Sequence, residues 1–592
     1  MNHTQKKNLN SITNKVNMPT VKVKYSIGLT LLLIFSLQLN AQKDRKLTFV
    51  GGARSVLNNG RLIVSDSIPD TTTVKRNEGG YALIDLGVNI KPNKNTEIMG
   101  MFRIKNNFGG FWGSGVSFDV RQLWIKGIVG NVLRYQLGDL NLKQSKFTLY
   151  NHRADQIDSL PAIFNLQQNI VSYERFYMNN NTWRMQGANV DFGFTFSKFL
   201  KEINFTAFLT RLNATNFGNV SDRLMNAYSV QIVKNNHLAL TGHTNTIFDV
   251  NGTTNNKNLF NNSVNSIEWK YENKLKSNNT YSFAGEFGNS HYYYSADTTA
   301  PYLSDYFIHA FAQMNLKKVN LNVTAGYLNV GADFRSIGAQ SKDVNYNAQP
   351  VYFNRYTNTQ VIRPTTLFDV ISNENIYSRT INSNLMSGSQ LFNNVLPYGM
   401  ATFNRVGAYL KLNYKNKKDL MANAEYYNLS EIRGQGTTAL RQFAIYKLNV
   451  NVPFHKLFNL KRTLSIQAGT NMQMANRKGN EAIEDVDLKM MQTTVGLRWE
   501  FSPDFELIGG MINQTNKGND FSADRNGFTE VTYFQLNNYN LTQQITAVGL
   551  RYNFTPKIYL CALYQQSNYQ DKKQNNANFK MNQFGLIYNI IL

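Results

Sequence analysis

The sequence predicts an all-β protein: a transmembrane antiparallel β-barrel of about 22 strands, with short turns at one rim and long loops at the other. Three observations support this. Apolar and polar residues alternate with period two over stretches of ten or so residues, repeatedly along the chain. The connections between those stretches alternate between short and long. Beyond residue 41, no apolar run approaches the ~18 residues that a membrane-spanning helix needs. Composition agrees. Aromatics reach 13%, charged residues only 17%, and there are 81 Asn against 11 Pro, which suits a sheet with one wet face and one apolar face. The one cysteine, Cys561, excludes an intramolecular disulfide framework and any cysteine-rich metal site.

The first element is an address. Residues 1–41 hold Lys6, Lys7, Lys15, Lys22 and Lys24 and no acidic residue, then an apolar core over 27–35, then Leu39-Asn40-Ala41. This pattern predicts a secretory signal peptide cleaved after Ala41. Without a cysteine near the cut, no lipoprotein is expected. Removal takes five positive charges, so the net charge falls from +24 to 57 − 38 = +19 over 42–592.

The expected strands are 46–57, 80–91, 96–106, 117–127, 133–141, 184–196, 202–212, 224–234, 237–247, 263–273, 279–290, 305–316, 319–330, 403–414, 419–430, 440–452, 462–475, 486–501, 505–514, 540–554, 558–569 and 580–592. Ile84-Leu86-Val88-Ile90 alternate with Asp85-Gly87-Asn89-Lys91. Val190-Phe192-Phe194-Phe196 alternate with Asp191-Gly193-Thr195, and Val406-Ala408-Leu410-Leu412 with Gly407-Tyr409-Lys411. Successive strand side chains point to opposite faces, so one face is apolar and the other polar. Short turns such as 92–95, 235–236, 317–318, 502–504 and 555–557 alternate with long loops, including 58–79, 142–183, 331–402 and 515–539. One tie occurs, 453–461 being as long as 431–439.

The last stretch alternates through Phe584, Leu586, Tyr588, Ile590 and Leu592, so it is expected to pair with the first strand and close the sheet. In these features the chain resembles bacterial outer-membrane β-barrel proteins, although many of that class end in Phe rather than Leu592. The resemblance is architectural and carries no functional residues. It implies an outer-membrane location in a Gram-negative envelope, both termini in the periplasm, and contact with membrane lipid and the barrel assembly machinery. Barrels of TonB-dependent transporters follow an N-terminal plug domain. Only Gln42-Lys43-Asp44-Arg45 precede the first strand here, so such a plug is not expected.

A wall this wide needs something to narrow it. Loop 331–402, with nine aromatics and five basic to four acidic residues, is the first candidate, and loop 142–183 the second. The polar face supplies lumen-facing candidates: Arg103, Arg121, Lys270, Arg405, Lys411, Arg498 and Arg551, with Lys105, Asp119, Glu268, Glu272, Glu286, Glu425 and Glu500. An Arg or Lys facing lipid near midplane costs ~2–4 kcal/mol, so these groups should face water or pair across the lumen. The short turns and their flanks hold 16 Lys or Arg against Glu202, Asp419 and Asp504, a charge pattern suited to lipid phosphates or an acidic periplasmic partner.

Signals for catalysis are weak. His237 and His243 share a strand face; His152 lies near Asp155 and Asp158; Glu481, Glu484, Asp485 and Asp487 form a loop cluster. The sequence shows no phosphate-binding glycine loop, nucleophile elbow or paired-histidine zinc motif. No enzyme, cofactor, metal site or nucleic-acid partner is expected, since the positive charge is spread along a membrane wall. The functional expectation is a channel or transporter for polar or anionic solutes with a loop-restricted lumen. The alternative is a structural or secretion-associated barrel that docks periplasmic or surface proteins.

Overall fold

A computed structural model describes residues 46–591 apart from 65–75, 109–114, 154–156, 177–182, 214–220, 251–259, 277, 295–301, 347–363, 379, 383, 384, 387, 526–530 and 574–577. The expected signal peptide, Leu592 and Asp155 lie outside the described residues. The strands are β1 (Leu47–Val64), β2 (Arg76–Asn93), β3 (Thr96–Asn107), β4 (Val116–Val129), β5 (Leu133–Leu142), β6 (Trp183–Thr195), β7 (Glu202–Asn213), β8 (Asp222–Val233), β9 (Leu238–Val250), β10 (Phe260–Lys274) and β11 (Thr280–Tyr294). The second half holds β12 (Leu303–Leu316), β13 (Leu321–Val330), β14 (Arg405–Lys415), β15 (Met421–Ser430), β16 (Gln442–Val452), β17 (Leu464–Arg477), β18 (Val486–Ser502), β19 (Phe505–Arg525), β20 (Val531–Thr555), β21 (Ile558–Asp571) and β22 (Phe579–Ile591).

All 22 strands form one antiparallel sheet, each pairing with its sequence neighbours. The seam is β1 against β22, from Gly52 opposite Ile591 to Val64 opposite Phe579. Closure satisfies the backbone groups that lipid cannot. Outward residues are large and apolar, as the alternation predicts: Phe118 is 64% exposed and Phe283 52%. With an even strand count, β1 begins and β22 ends at the same rim.

Many short turns are built on asparagine and aspartate. Asn131, Asn278, Asn320, Asp419, Asn459 and Asp504 all take φ between 53° and 64°. That left-handed region is disfavoured for most side chains but open to Asn and Asp. Part of the high Asn content therefore follows from turn geometry.

Two expected long loops are largely strand. The 58–79 segment shrinks to 65–75 because β1 and β2 run 18 residues each, and 515–539 to 526–530 because β19 and β20 run 21 and 25. β18 pairs with β19 only as far as Asn519, and β21 with β20 only as far as Leu541, so a two-stranded hairpin rises past its neighbours. There, water bathes both faces and the apolar alternation that marks a strand in sequence disappears. The length sorting is correspondingly weaker: 526–530 is shorter than the turn 196–201 at the opposite rim.

The 143–182 segment contains a helix the periodicity of the strands does not announce, α1 (Ala162–Phe176). It starts after Pro161, whose carbonyl accepts from the Phe164 and Asn165 amides at 3.0 and 2.9 Å. Ile163, Phe164, Leu166, Ile170 and Val171 form its apolar face, which joins one buried cluster. The 331–404 segment carries two short helices, α2 (Ile337–Gln340) and α3 (Leu367–Ser372). Asp369 caps α3, accepting from the Thr366 amide at 2.9 Å. A third short helix, α4 (Phe454–Leu457), lies in the 453–463 turn.

Candidate functional site

The described residues of both long segments fold into the barrel. The 143–176 segment alone touches strands around most of the ring. Gln144 donates to Ser229 on β8 at 3.0 Å, and Asp158 pairs with Lys447 on β16 at 2.5 Å. Ser159 accepts from Gln467 on β17 at 2.8 Å, and Gln167 donates to Gln565 on β21 at 2.8 Å. The Tyr173 carbonyl accepts from Arg121 on β4 at 2.8 Å. One segment can reach so many strands only from the interior.

Helix α1 packs on β18–β22 and β1. Its Ile163 and Phe164 are fully buried against Ile508, Ile512, Ile545, Ala547, Leu563 and Cys561. Glycine permits the approach. A Cβ on Gly510 would stand 2.7 Å from Pro161 and 2.9 Å from Phe164, and one on Gly496 2.9 Å from Pro161. The 331–404 segment fills the long-loop half. Phe334, Val395 and Ala401 are buried with Phe307, Leu328, Leu429 and Phe443 from the wall, and Phe147 stacks on Phe307 at 3.9 Å between ring centroids.

The sequence-predicted cations occupy several separate settings. Arg103 makes a bidentate pair with Asp85, 2.6 Å on each arm, with both groups almost fully buried. Tyr173 sits over this pair, its ring 5.2 Å from the Arg54 guanidinium, 5.8 Å from Arg103 and 5.9 Å from Arg121. Burial and the Asp85 carboxylate push the Tyr173 hydroxyl up, so it stays a neutral donor. Arg498 and Arg551 converge on Glu506, at 2.6 and 3.9 Å. Arg405 holds the loop, donating to the Val395 carbonyl at 2.9 Å and lying 3.8 Å over the Phe443 ring. Lys270 pairs with its own neighbour Glu272 at 2.8 Å in an exposed position.

Lys411 lines a cavity that combines charged groups with apolar wall. Its volume is about 240 Å³, between the 146–158 segment, the 393–400 segment and β14–β17. Lys411 pairs with Glu425 at 3.3 Å and lies 5.4 Å over the Tyr427 ring; Lys447 pairs with Asp158. Arg153 pairs with Asp343 at 3.6 Å. Lys146 lines the same cavity, and among the described residues its ammonium has no ion pair or hydrogen bond. Lys146 is exposed to the space inside the barrel. Burial there, then the neighbouring Lys411, lower its pKa from the usual lysine value. His152 faces the same cavity water, with protein on its other sides. Burial, then Lys447, Lys342 and Lys146, lower its pKa to about 3, so it is neutral near pH 7. Gly399, at φ +61°, leaves room for that ring: a Cβ there would stand 2.5 Å from it.

Tyr173, Lys146, Lys447 and Glu506 escaped the sequence reading, and Asp85 entered it only as part of the polar alternation. Asp85 and Glu506 carried a usable signal, an acid in register with an arginine on the next strand; Asp85 pairs in register with Arg103. Lys146 and Tyr173 lie on a loop whose inward fold no alternation reports. Of the histidines, His237 contacts the Glu272 carbonyl at 2.8 Å and His243 the Ser229 hydroxyl at 2.8 Å. In the loop acids, Glu484 accepts from Thr437 at 2.9 Å and Asp485 from the Gly479 amide at 2.8 Å. The Thr437 hydroxyl and the Asn480 amide hold the Glu484 carboxyl below its ordinary pKa.

A closed sheet with an outward apolar belt and an interior of polar groups and infolded loops defines a membrane-spanning β-barrel of the outer-membrane kind. No family model matches the chain, and no curated protein matches it. Among solved structures it is similar to a BenF-like porin from Pseudomonas fluorescens Pf-5, at 9% identity over 93% of this chain and 99% of that one, TM-score 0.35. It is similar to the FrpB iron transporter from Neisseria meningitidis, at 9% identity over 92% and 82%, TM-score 0.43. It is also similar to Pseudomonas aeruginosa OpdO, at 10% identity over 92% and 98%, TM-score 0.34.

Proposed function

We propose that this protein is an outer-membrane channel for polar or anionic solutes, narrowed by its own two long loops. The carrying observation is the inner wall of β6–β12 near the short-turn rim. Asn204, Gln231, Thr241, Lys270, Glu272 and Gln313 are all at least partly water-accessible there, while α1 covers the opposite arc. A barrel that served only as a scaffold has no need of a wet arc beside a dry one. The short turns face the periplasm, as does each terminus, and the long loops face outward. Basic residues outnumber acidic ones on the chain, which biases an aqueous passage toward anions.

The test is single-channel recording of the purified barrel in a planar bilayer. Discrete conductance steps with anion preference are expected. Replacing 340–395 by a short Gly/Ser linker should raise the step size while the barrel stays folded, because loop closure cost depends weakly on length. Silence from both proteins would end the channel reading and favour the docking scaffold.

A further inference from the structure

We propose that β4 carries a docking edge for a second polypeptide, which adds to the sheet as an extended segment alternating apolar and basic side chains. The wall has a notch at this strand. β4 pairs with β3 from Val116 to Gly127, but with β5 only from Trp124 to Val129. At the fork, Gly138 of β5 takes φ +95°, a conformation few other residues adopt, and a Cβ there would stand 2.4 Å from the Leu123 carbonyl oxygen. Asp139 seals the fork. Its carboxylate accepts from the Leu123 amide at 2.7 Å, from Arg184 at 3.1 Å and from Gln186 at 3.2 Å. Beyond that seal, the edge of β4 from Val116 to Gln122 faces no strand among the described residues.

The backbone of that edge is open. Phe108 donates its amide to Gly80 of β2 at 2.8 Å, so alternation along β3 gives the backbone groups of Phe102, Ile104 and Asn106 to β2. Their register partners Val120, Phe118 and Val116 turn theirs away from β3 and into the notch. Among the described residues, no hydrogen bond meets them on that side. Unmet amides and carbonyls along an extended strand are a template for another strand. Val116-Ser117-Phe118-Asp119-Val120 holds no Pro and no Lys, the residues that commonly blunt such an edge. The side chains define the occupant. Val116, Phe118 and Val120 are exposed and continue the outward apolar face of Phe102 and Ile104, with Phe118 stacked on Phe102 at 5.7 Å between centroids. The added strand therefore needs apolar residues on that face. On the inward face Asp119 is exposed, and among the described residues it has no ion pair. Its register partner Arg103 gives both arms to Asp85. A Lys or Arg across from Asp119 on the incoming strand supplies the opposite charge. The β4 edge of a second copy of this chain offers an acid there instead.

The experiment measures binding of fluorescent peptides to the full-length barrel in detergent by anisotropy. The probe is a heptapeptide alternating valine and lysine. One control replaces its lysines by glutamate, and another methylates its backbone amides. The valine–lysine peptide should bind, and each control should bind roughly tenfold or more weakly. Asp119→Lys should reverse the order of the lysine and glutamate peptides. Phe118→Pro removes an amide that β3 does not use, and it should weaken the probe by about tenfold or more. Equal binding of the methylated peptide, an unchanged order in Asp119→Lys, or full affinity in Phe118→Pro would each overturn the proposal. Folding is read from heat-modifiable gel mobility. If Phe118→Pro does not fold, the methylated peptide on the wild type decides. A dimer of the purified barrel that the probe dissociates would make a second copy the occupant and would also overturn it. Binding is measured without conductance, so the outcome is independent of the channel reading.

Discussion

Two arcs of one wall have opposite characters. Along β18–β22 and β1 the inner face carries a patch of isoleucine, alanine, leucine and glycine on which α1 lies, beside buried polar groups such as Glu506 and Gln565. Along β6–β12, toward the short-turn rim, the inner face is Asn, Thr, Gln, Lys and Glu, each partly or well exposed. Both arcs have the same outward face, dictated by lipid. The inward face is free to be either a wet wall or a seat for protein. A barrel thus sorts its interior by what each arc must hold, whereas its exterior has one solution.

The sharpest way to break this contrast is to remove the anchor. Phe164 is fully buried, and Phe164→Ala should cost the docked helix about 3–5 kcal/mol. Cys561, buried in the same cluster, is a native reporter: it should be inert to thiol reagents in the wild type and labelled in the variant. Protection that survives the truncation would mean α1 is not what covers this arc.

A smaller effect comes from filling the seat. Gly510→Leu forces carbon into a space already within 2.7 Å of Pro161, and overpacking of that sort costs about 1–3 kcal/mol. Cys561 labelling and single-channel conductance should both rise. Gln231→Leu on the wet arc should leave Cys561 labelling unchanged. Equal responses at the two positions would erase the distinction between arcs.

Acid should act on the loop. The docked His152 has a pKa of about 3, against ~6.5 for a released histidine. The released loop therefore takes up the proton more readily. Docking is fully stable above the released value and weakens as pH falls from 6.5 toward 3. Protease cleavage within 143–176 should increase between pH 7 and 4, and His152→Gln should flatten that dependence. The smallest effect is expected at Lys270, whose pair with Glu272 is about half exposed on both sides. Lys270→Gln should move the denaturant midpoint by no more than about 1 kcal/mol equivalent.

The sequence made the wall legible and the interior much less so. Lipid demands one apolar face from every strand, so Leu410, Phe283 and Val495 announce their positions by alternation. No comparable rule governs the loops. Helix α1 is amphipathic, but its spacing means only that something covers it, and what covers it comes from strands about 350–400 residues later in the chain. The predicted cations were read from the same alternation, yet they do not form one lining. Asp85, Glu506, Glu425 and the loops divide them among separate partners. The tall β19–β20 hairpin was missed because alternation needs a lipid face to write it.

The distance in sequence between α1 and its seat also sets an order of events. Each hairpin of the wall can form from residues close together in the chain, but Gln167 meets Gln565 across 398 positions, and Arg54 meets Asn589 across 535. Contacts that distant form late, after the chain between them has been arranged. The 143–176 segment precedes its seat in the chain, so Ile163 and Phe164 cannot be fully covered until β18–β22 exist. During that interval the sheet is an open trough with a greasy helix tethered to it. The closing of the β1–β22 seam and the seating of the helix therefore belong to the same final stage of assembly, and a premature seam would shut the helix out.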